Sequence, residues 1–199
     1  MPRLKVCGIT DAAFAIEASR RGVDYLGLIF AAKSPRRVNI EKAGEIARAV
    51  AALPKRPKLA GVFADETLDD ILAVSEHLAL DIVQLSGKYS RGDVAIIKER
   101  GYEVWRLWQG DFGNEDAILL DGRKGNASAL APWQLVGDLK AHGCCVVLAG
   151  RIGPENIADA SQTGADVIDV SSSLETAPGV KSLSLLDELL RNFRPPCAM

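Results

Sequence analysis

A thiol and a carboxylate, Cys7 and Asp121, each close a short apolar run in this chain of 199 residues. The first run, residues 4–7, reads Leu-Lys-Val-Cys. The second, residues 117–121, reads Ala-Ile-Leu-Leu-Asp. A thiolate can take a proton and a protonated carboxyl can give one, so the two residue types suit general acid–base chemistry. Each also has a plainer reading. A lone cysteine is usually a small core hydrophobe, and a carboxylate ending a strand often caps the next turn. Lys5 weighs toward chemistry, because a period of two puts Arg3, Lys5 and Cys7 on one face of a strand and Leu4 and Val6 on the other. A nearby cation lowers a thiol from its free value of about 8.5, so Lys5 is expected to make a thiolate base available near neutrality. A carboxyl in a dry cavity moves the other way and keeps a proton to give, the role open to Asp121.

Further polar residues follow other apolar runs. Arg36 and Arg37, in Lys33-Ser34-Pro35-Arg36-Arg37, form either a solvated basic loop or a fork for a substrate carboxylate. Asp65, Gln84, Ser86 and Arg106 also stand at run ends. Gly150-Arg151 and Ser171-Ser172-Ser173 lie in two small-residue stretches, which are either plain turns or backbone cradles for phosphate. Asp169 is placed to pair with Lys5 if the first and last strands are neighbours, and such a buried pair is as readily structural as catalytic. His77 and His142 fall near helix C-termini, where the dipole favours a charged imidazole. Cys144 and Cys145 read as core, and Cys197 lies in the tail. The four cysteines and two histidines match no zinc spacing, so no metal site is expected.

The elements that must position these groups alternate. Strands are predicted at residues 4–7, 25–30, 59–63, 81–85, 103–108, 117–121, 144–148 and 166–170. Helices are predicted at 11–21, 41–53, 67–78, 91–100, from Pro132 to about Gly143, and at 154–163 and 182–192. Gly110 and Gly113 leave little room for a helix after the fifth strand. Eight Val/Ile/Leu-rich strands, each followed by a helix or its remnant, predict an α/β fold, a single (β/α)8 barrel over residues 1–199. The alternative is an open doubly wound sheet, but the first turn, Cys7-Gly8-Ile9-Thr10, carries no GxGxxG. In a barrel the polar residues at strand carboxyl ends gather at one mouth.

Composition sets the frame. A net charge of −2 and 48% hydrophobic residues describe a globular chain with no electrostatic case for nucleic acid or membrane. No apolar run reaches the roughly 18 residues of a membrane span, and the start lacks a signal-peptide core, so a cytoplasmic protein is expected.

Taken together these residues resemble the phosphoribosylanthranilate isomerase family, over nearly the whole chain. Lys5-Val6-Cys7-Gly8-Ile9-Thr10 is the most specific segment. Gly27-Leu28-Ile29-Phe30 with Ser34-Pro35-Arg36-Arg37-Val38, Gly61-Val62-Phe63, Val83-Gln84-Leu85, Leu119-Leu120-Asp121, Leu148-Ala149-Gly150, Pro154-Glu155-Asn156 and Asp169-Val170-Ser171-Ser172 follow in order. The resemblance implies an Amadori rearrangement of an aminoaldose phosphate in tryptophan biosynthesis. Asp121 would be the general acid and Cys7 the general base. Arg36 would hold the anthranilate carboxylate, with Gln84 also at the substrate, and Gly150, Arg151, Ser171, Ser172 and Ser173 would hold its phosphate. No cofactor is implied, and the expected partner is a small phosphosugar bound by a monomer. The alternative is a diverged barrel that acts on another phosphosugar or binds a ligand without turnover.

The chain departs from the family pattern at several places. Ser86 stands where a histidine is expected, and Gly122-Arg123-Lys124-Gly125-Asn126-Ala127-Ser128 replaces a glycine-rich loop. Ala131-Pro132-Trp133 replaces Phe-Asp-Trp, and Arg151 and Ser173 stand where glycines are expected. If those two positions need a positive φ, each substitution costs on the order of 1 kcal/mol.

Overall fold

The computed structural model describes residues 1–122 and 133–193. Eight parallel strands form a closed barrel in chain order. They are β1 (Arg3–Cys7), β2 (Tyr25–Ile29), β3 (Lys58–Phe63), β4 (Ile82–Leu85), β5 (Glu103–Leu107), β6 (Ala117–Leu120), β7 (Val146–Leu148) and β8 (Val167–Val170), which pairs back on β1. The covering helices are α1 (Ala12–Arg20), α2 (Ile40–Ala51), α3 (Leu68–Leu78), α4 (Arg91–Glu99), α5 (Leu135–Ala141), α6 (Ile157–Gln162) and α7 (Leu183–Phe193). This is the (β/α)8 barrel that the alternation predicts. No helix among the described residues is long and apolar enough to cross a membrane.

Alternation along the strands sorts the core into two layers. Leu4, Val6, Leu26, Leu28 and Ile168 face outward and pack with helix residues such as Phe14, Ile46 and Leu186. Tyr25, Ala60, Ile82, Trp105, Leu119 and Val147 fill the barrel's interior, with the Tyr25 and Trp105 rings edge to face at 5.0 Å. Helix starts are set locally. Asp11, Asn39, Thr67 and Ser90 each accept a backbone N–H three residues on, and Ser90 with Asp93 completes a capping box.

The segment between β5 and β6 holds no helix, as its glycines predict. Arg106 explains what replaces it. Trp105 turns into the barrel, so Arg106 faces out, where a helix would lie. Its side chain is buried beneath the loop, donating from Nε to Glu115 at 3.2 Å and from Nη2 to the Asp111 carbonyl at 3.0 Å. Arg106 is therefore a loop anchor and lies away from the mouth. Two boundaries also differ from expectation. The seventh strand begins at Val146, which leaves Cys144 and Cys145 half-buried ahead of it, packed against the edge of the core. The expected helix start at Pro132 lies outside the described residues, and α5 is seen from Leu135.

The amino-end rim carries one device four times. Asp24, Asp81, Asp116 and Asp166 immediately precede β2, β4, β6 and β8. Each carboxylate accepts the backbone N–H near the start of the preceding odd strand: Leu4 (2.8 Å), Leu59 (2.8 Å), Val104 (2.8 Å) and Val146 (2.7 Å). Strand-edge donors that would otherwise go unpaired are thus satisfied by side chains.

Asp81 also receives the Arg56 guanidinium at 2.7 and 2.8 Å. Burial on its own would push this carboxyl up, but Arg56 and the Leu59 N–H hold it below the usual range. A carboxyl lowered in the folded state stabilises above its unfolded value, about 3.9, and that stabilisation is lost as pH falls through the lowered folded value. Asp81→Ala is expected to lose about 1–3 kcal/mol in urea unfolding at pH 7, mainly from the orphaned N–H. The gap from wild type should narrow below pH ~4.

Candidate active site

The ends of six strands, β1, β2, β4, β6, β7 and β8, and the loops beyond them carry the candidate residues at the mouth. Lys5 is fully buried inside the barrel and donates to Asp169 Oδ2 at 2.7 Å. The two residues are register partners across the β1–β8 seam, so the pairing foreseen from strand order is present. Asp169 Oδ1 is buried with no hydrogen-bond partner among the described residues. Cys7 sits above Lys5 at the strand end and is 7% exposed. Opposite Cys7 on β2 is Gly27. A Cβ there would stand 2.8 Å from Cys7 Sγ and 3.2 Å from Lys5 Nζ, so only a bare backbone leaves room for the thiol and ammonium together. A glycine inside an apolar strand is the sequence signal of such a close approach, and it gives Gly27 a place in the site beyond its part in the segment 27–30.

The expected lowering of the Cys7 thiol is corrected by this setting. Burial pushes the thiol above its ordinary value; Lys5 pulls it down but does not overcome the lost solvation, and Asp169 pushes it further up. The Lys5 charge is already engaged by Asp169, which reduces its hold on a neighbouring thiolate. Burial opposes charge on Lys5 too, but Asp169 and Cys7 hold the ammonium above its ordinary value.

Asp121 follows β6 directly and is half-buried at the same rim. β6 stands three strands from β1 by way of β7 and β8. Gly150, at φ +97°, lets the loop after β7 meet this carboxylate: a Cβ on Gly150 would lie 2.5 Å from Gly122 N and 2.9 Å from Asp121 Oδ1. The rest of the replaced loop, from Arg123 to Ser128, lies outside the described residues, as does Cys197.

Arg36 reaches the mouth from the loop after β2. Its stem crosses Gly8, where a Cβ would stand 2.7 Å from Arg36 Cδ. Its guanidinium is gripped by Glu175, from Nε at 2.8 and 3.0 Å and from Nη2 at 2.8 Å. Glu175 belongs to a hairpin that the sequence reading lacks, β9 (Glu175–Ala177) with β10 (Val180–Lys181). Lys181 Nζ donates to Glu175 at 2.8 Å and to the Ser171 carbonyl at 3.0 Å. Burial would raise the Glu175 carboxyl, but Arg36 and Lys181 bring it down to about 2. Burial lowers the Lys181 ammonium despite Glu175 beside it. Gln84 faces inward on β4, donates from Nε2 to Ser86 Oγ at 3.1 Å, and leaves Oε1 buried with no partner among the described residues.

The loops after β7 and β8 are stitched together. Ser173 Oγ donates to the Ile152 carbonyl at 2.7 Å, and Ser171 Oγ to the Cys7 carbonyl at 3.0 Å. Ser172 opens a one-turn 3₁₀ helix, Ser172–Leu174, at the mouth. Asn156 Oδ1 accepts from Gly153 N at 2.9 Å while its Nδ2 donates to the Arg151 carbonyl at 3.0 Å. Arg151 takes a left-handed φ of +53°, the strained conformation foreseen for a glycine position. Ser173 does not: it lies within the 3₁₀ turn with no positive φ, so the strain expected there is absent. Other candidates lie apart. Asp65 makes an exposed pair with Lys33, and His77 and His142 sit at the ends of α3 and α5. Among the described residues no group of His, Cys, Asp and Glu could hold a metal ion.

Residues 4–192 match the family model of N-(5'-phosphoribosyl)anthranilate (PRA) isomerase. The chain belongs to this family. It is 35% identical to the N-(5'-phosphoribosyl)anthranilate isomerase of Rubrobacter xylanophilus, over 97% of each chain. The crystal structure of phosphoribosyl anthranilate isomerase from Thermus thermophilus superposes with a TM-score of 0.85 at 31% identity, covering 96% of this chain and 97% of that one. A phosphoribosyl anthranilate isomerase in complex with reduced 1-(o-carboxyphenylamino)-1-deoxyribulose 5-phosphate superposes at 0.83 with 28% identity, over 98% of this chain and all of that one. The PRA isomerase barrel thus extends along the whole run from β1 to α7.

The balance of charges on Cys7 is open to measurement. The midpoint of its alkylation rate by iodoacetamide against pH should lie above the free-thiol value of about 8.5. It should rise further in Lys5→Met. A midpoint below that value in the wild type would mean that Lys5 outweighs burial.

Proposed function

We propose that the chain is an isomerase of tryptophan biosynthesis. It converts N-(5'-phosphoribosyl)anthranilate to 1-(2-carboxyphenylamino)-1-deoxyribulose 5-phosphate. The family match over residues 4–192 carries this reading. The presence of Cys7 and Asp121 on one rim of the barrel supports it. This reading includes a monomeric cytoplasmic enzyme whose partner is its small phosphosugar.

Asp121 acts as general acid, giving its proton to the ribose ring oxygen. The ring opens and the anthranilate nitrogen takes up the positive charge as a protonated Schiff base. Cys7 then removes the proton from C2′, and the resulting enolamine relaxes to the ketone. The thiol, held neutral at rest by burial, gives up its own proton to solvent when substrate binds and meets C2′ as the thiolate. The iminium cation forms one bond from C2′, and a cation brought close to a thiol favours its thiolate. Lys5 supplies a second, permanent positive charge beneath the sulfur. Arg36 faces the anthranilate carboxylate, and the unpartnered Gln84 Oε1 accepts from the substrate. Backbone N–H groups of Gly150, Arg151, Ser171, Ser172 and Ser173 hold the phosphate. The side chains of Ser171 and Ser173 keep the two loops in place and leave phosphate binding to the backbone.

Anthranilate fluorescence in freshly made N-(5'-phosphoribosyl)anthranilate tests this. Wild type should consume it. Cys7→Ala and Asp121→Asn should each lower kcat by about 10²–10⁴ while keeping the wild-type circular dichroism spectrum. Turnover that survives in Cys7→Ala removes the thiol from the proton path. A folded wild type without turnover at high substrate concentration leaves the barrel as a binder of another ligand.

A further inference from the structure

The hairpin after β8 places a buried carboxylate and a buried ammonium behind Arg36, and neither takes part in the proton transfers. The Glu175 and Lys181 side chains are 4% and 2% exposed, whereas Arg36 is 20% exposed. A guanidinium has five N–H groups arranged along two edges, each able to hold a carboxylate in a fork. Glu175 takes the edge formed by Nε and Nη2. Among the described residues nothing accepts from Nη1, so the second edge, Nη1 with the remaining Nη2 proton, is open for another carboxylate. Lys181 balances Glu175, and the trio keeps a net charge of +1 for an arriving anion.

We infer that Glu175, backed by Lys181, is a positioning residue that sets the plane of the Arg36 guanidinium and thereby makes the site specific for a substrate ring bearing a carboxylate. The inference rests on the proposed role of Arg36. Four contacts argue for a fixed fork. Arg36 is held from behind by Glu175. Its stem lies against Gly8, one residue past Cys7. The hairpin is pinned from the other side, because Thr10 Oγ1 donates to the Gly179 carbonyl and Lys181 Nζ to the Ser171 carbonyl. The grip on the aromatic acid is thus referenced to the end of β1, where the thiol stands. A guanidinium free to rotate would attract any anion, whereas one fixed by its far edge selects a planar carboxylate at one distance from Cys7.

The test is a ratio of affinities. Calorimetry measures binding of reduced 1-(2-carboxyphenylamino)-1-deoxyribulose 5-phosphate and of the phenylamino counterpart lacking the ring carboxylate. Wild type should prefer the first by about tenfold to a hundredfold, the worth of a charge-assisted fork. Arg36→Met should abolish the preference. Glu175→Gln should cut it at least about fivefold while leaving affinity for the phenylamino counterpart unchanged. If Glu175→Gln does not fold by circular dichroism, Glu175→Asp decides, since it keeps the charge and withdraws it by one methylene. A variant that keeps the wild-type ratio, or weakens both ligands equally, overturns the role of Glu175 and leaves that of Arg36 standing. A wild type without preference, or an Arg36→Met that retains it, removes the role of Arg36 and the inference with it.

Discussion

The ion pair between Lys5 and Asp169 fastens the first strand to the last, 164 residues apart, and the site turns on it. Taking two such charges out of water costs several kcal/mol per ion, and removing one partner alone typically costs about 3–5 kcal/mol, whereas an apolar replacement of both is often neutral. A barrel interior filled by Tyr25, Ile82, Trp105 and Leu119 could close on apolar contacts alone. The ion pair is therefore not what closure demands. What it adds is a permanent positive charge directly below a thiol, held by a carboxylate so that it neither moves nor loses its proton. Gly27 is the geometric condition for that stack, since any side chain on it would stand where Sγ and Nζ meet.

A second network repeats the logic at the rim. Glu175 and Lys181 are buried charges with their partners in place, and the more exposed end of the trio, Arg36, is the part that reaches solvent. Both networks put the fixed member on β8 or the hairpin after it, and the working member on β1 or the loop after β2. The last unit of the chain thus acts as scaffold for the first two, which carry the thiol and the fork. The Ser173 hydroxyl completes that scaffold by tying the loop after β8 to the loop after β7, and the Ser171 hydroxyl ties it to the end of β1.

Much of this was legible in the residues. A period of two put Lys5 and Cys7 on the inner face, and strand order put Lys5 beside Asp169. Gly110 and Gly113 announced the missing helix. Three features were not legible, each for a physical reason. The hairpin at Glu175–Lys181 is two- and three-residue strands, too short to show a period. The Arg36–Glu175 contact spans 139 residues and depends on that hairpin. The direction of the Cys7 shift depends on how dry the site is, and proximity in sequence to Lys5 says nothing of solvation. Arg151 and Ser173 make the same point. Both stand at expected glycine positions, yet only Arg151 takes the left-handed backbone, because Ser173 is drawn into a 3₁₀ turn.

The four aspartates of the amino-end rim give the barrel a rhythm of its own. Each links an odd strand to the even strand after it, so the links join β1 to β2, β3 to β4, β5 to β6 and β7 to β8. The seams between even and odd strands carry none of these links, and the one between β8 and β1 is closed from inside by Lys5 and Asp169. In engineering terms the chain divides into four cassettes of two strands, each keeping its own fastening. A division between cassettes keeps both partners of every aspartate clasp on one fragment, whereas a division inside a cassette, between carboxylate and N–H, puts them on two.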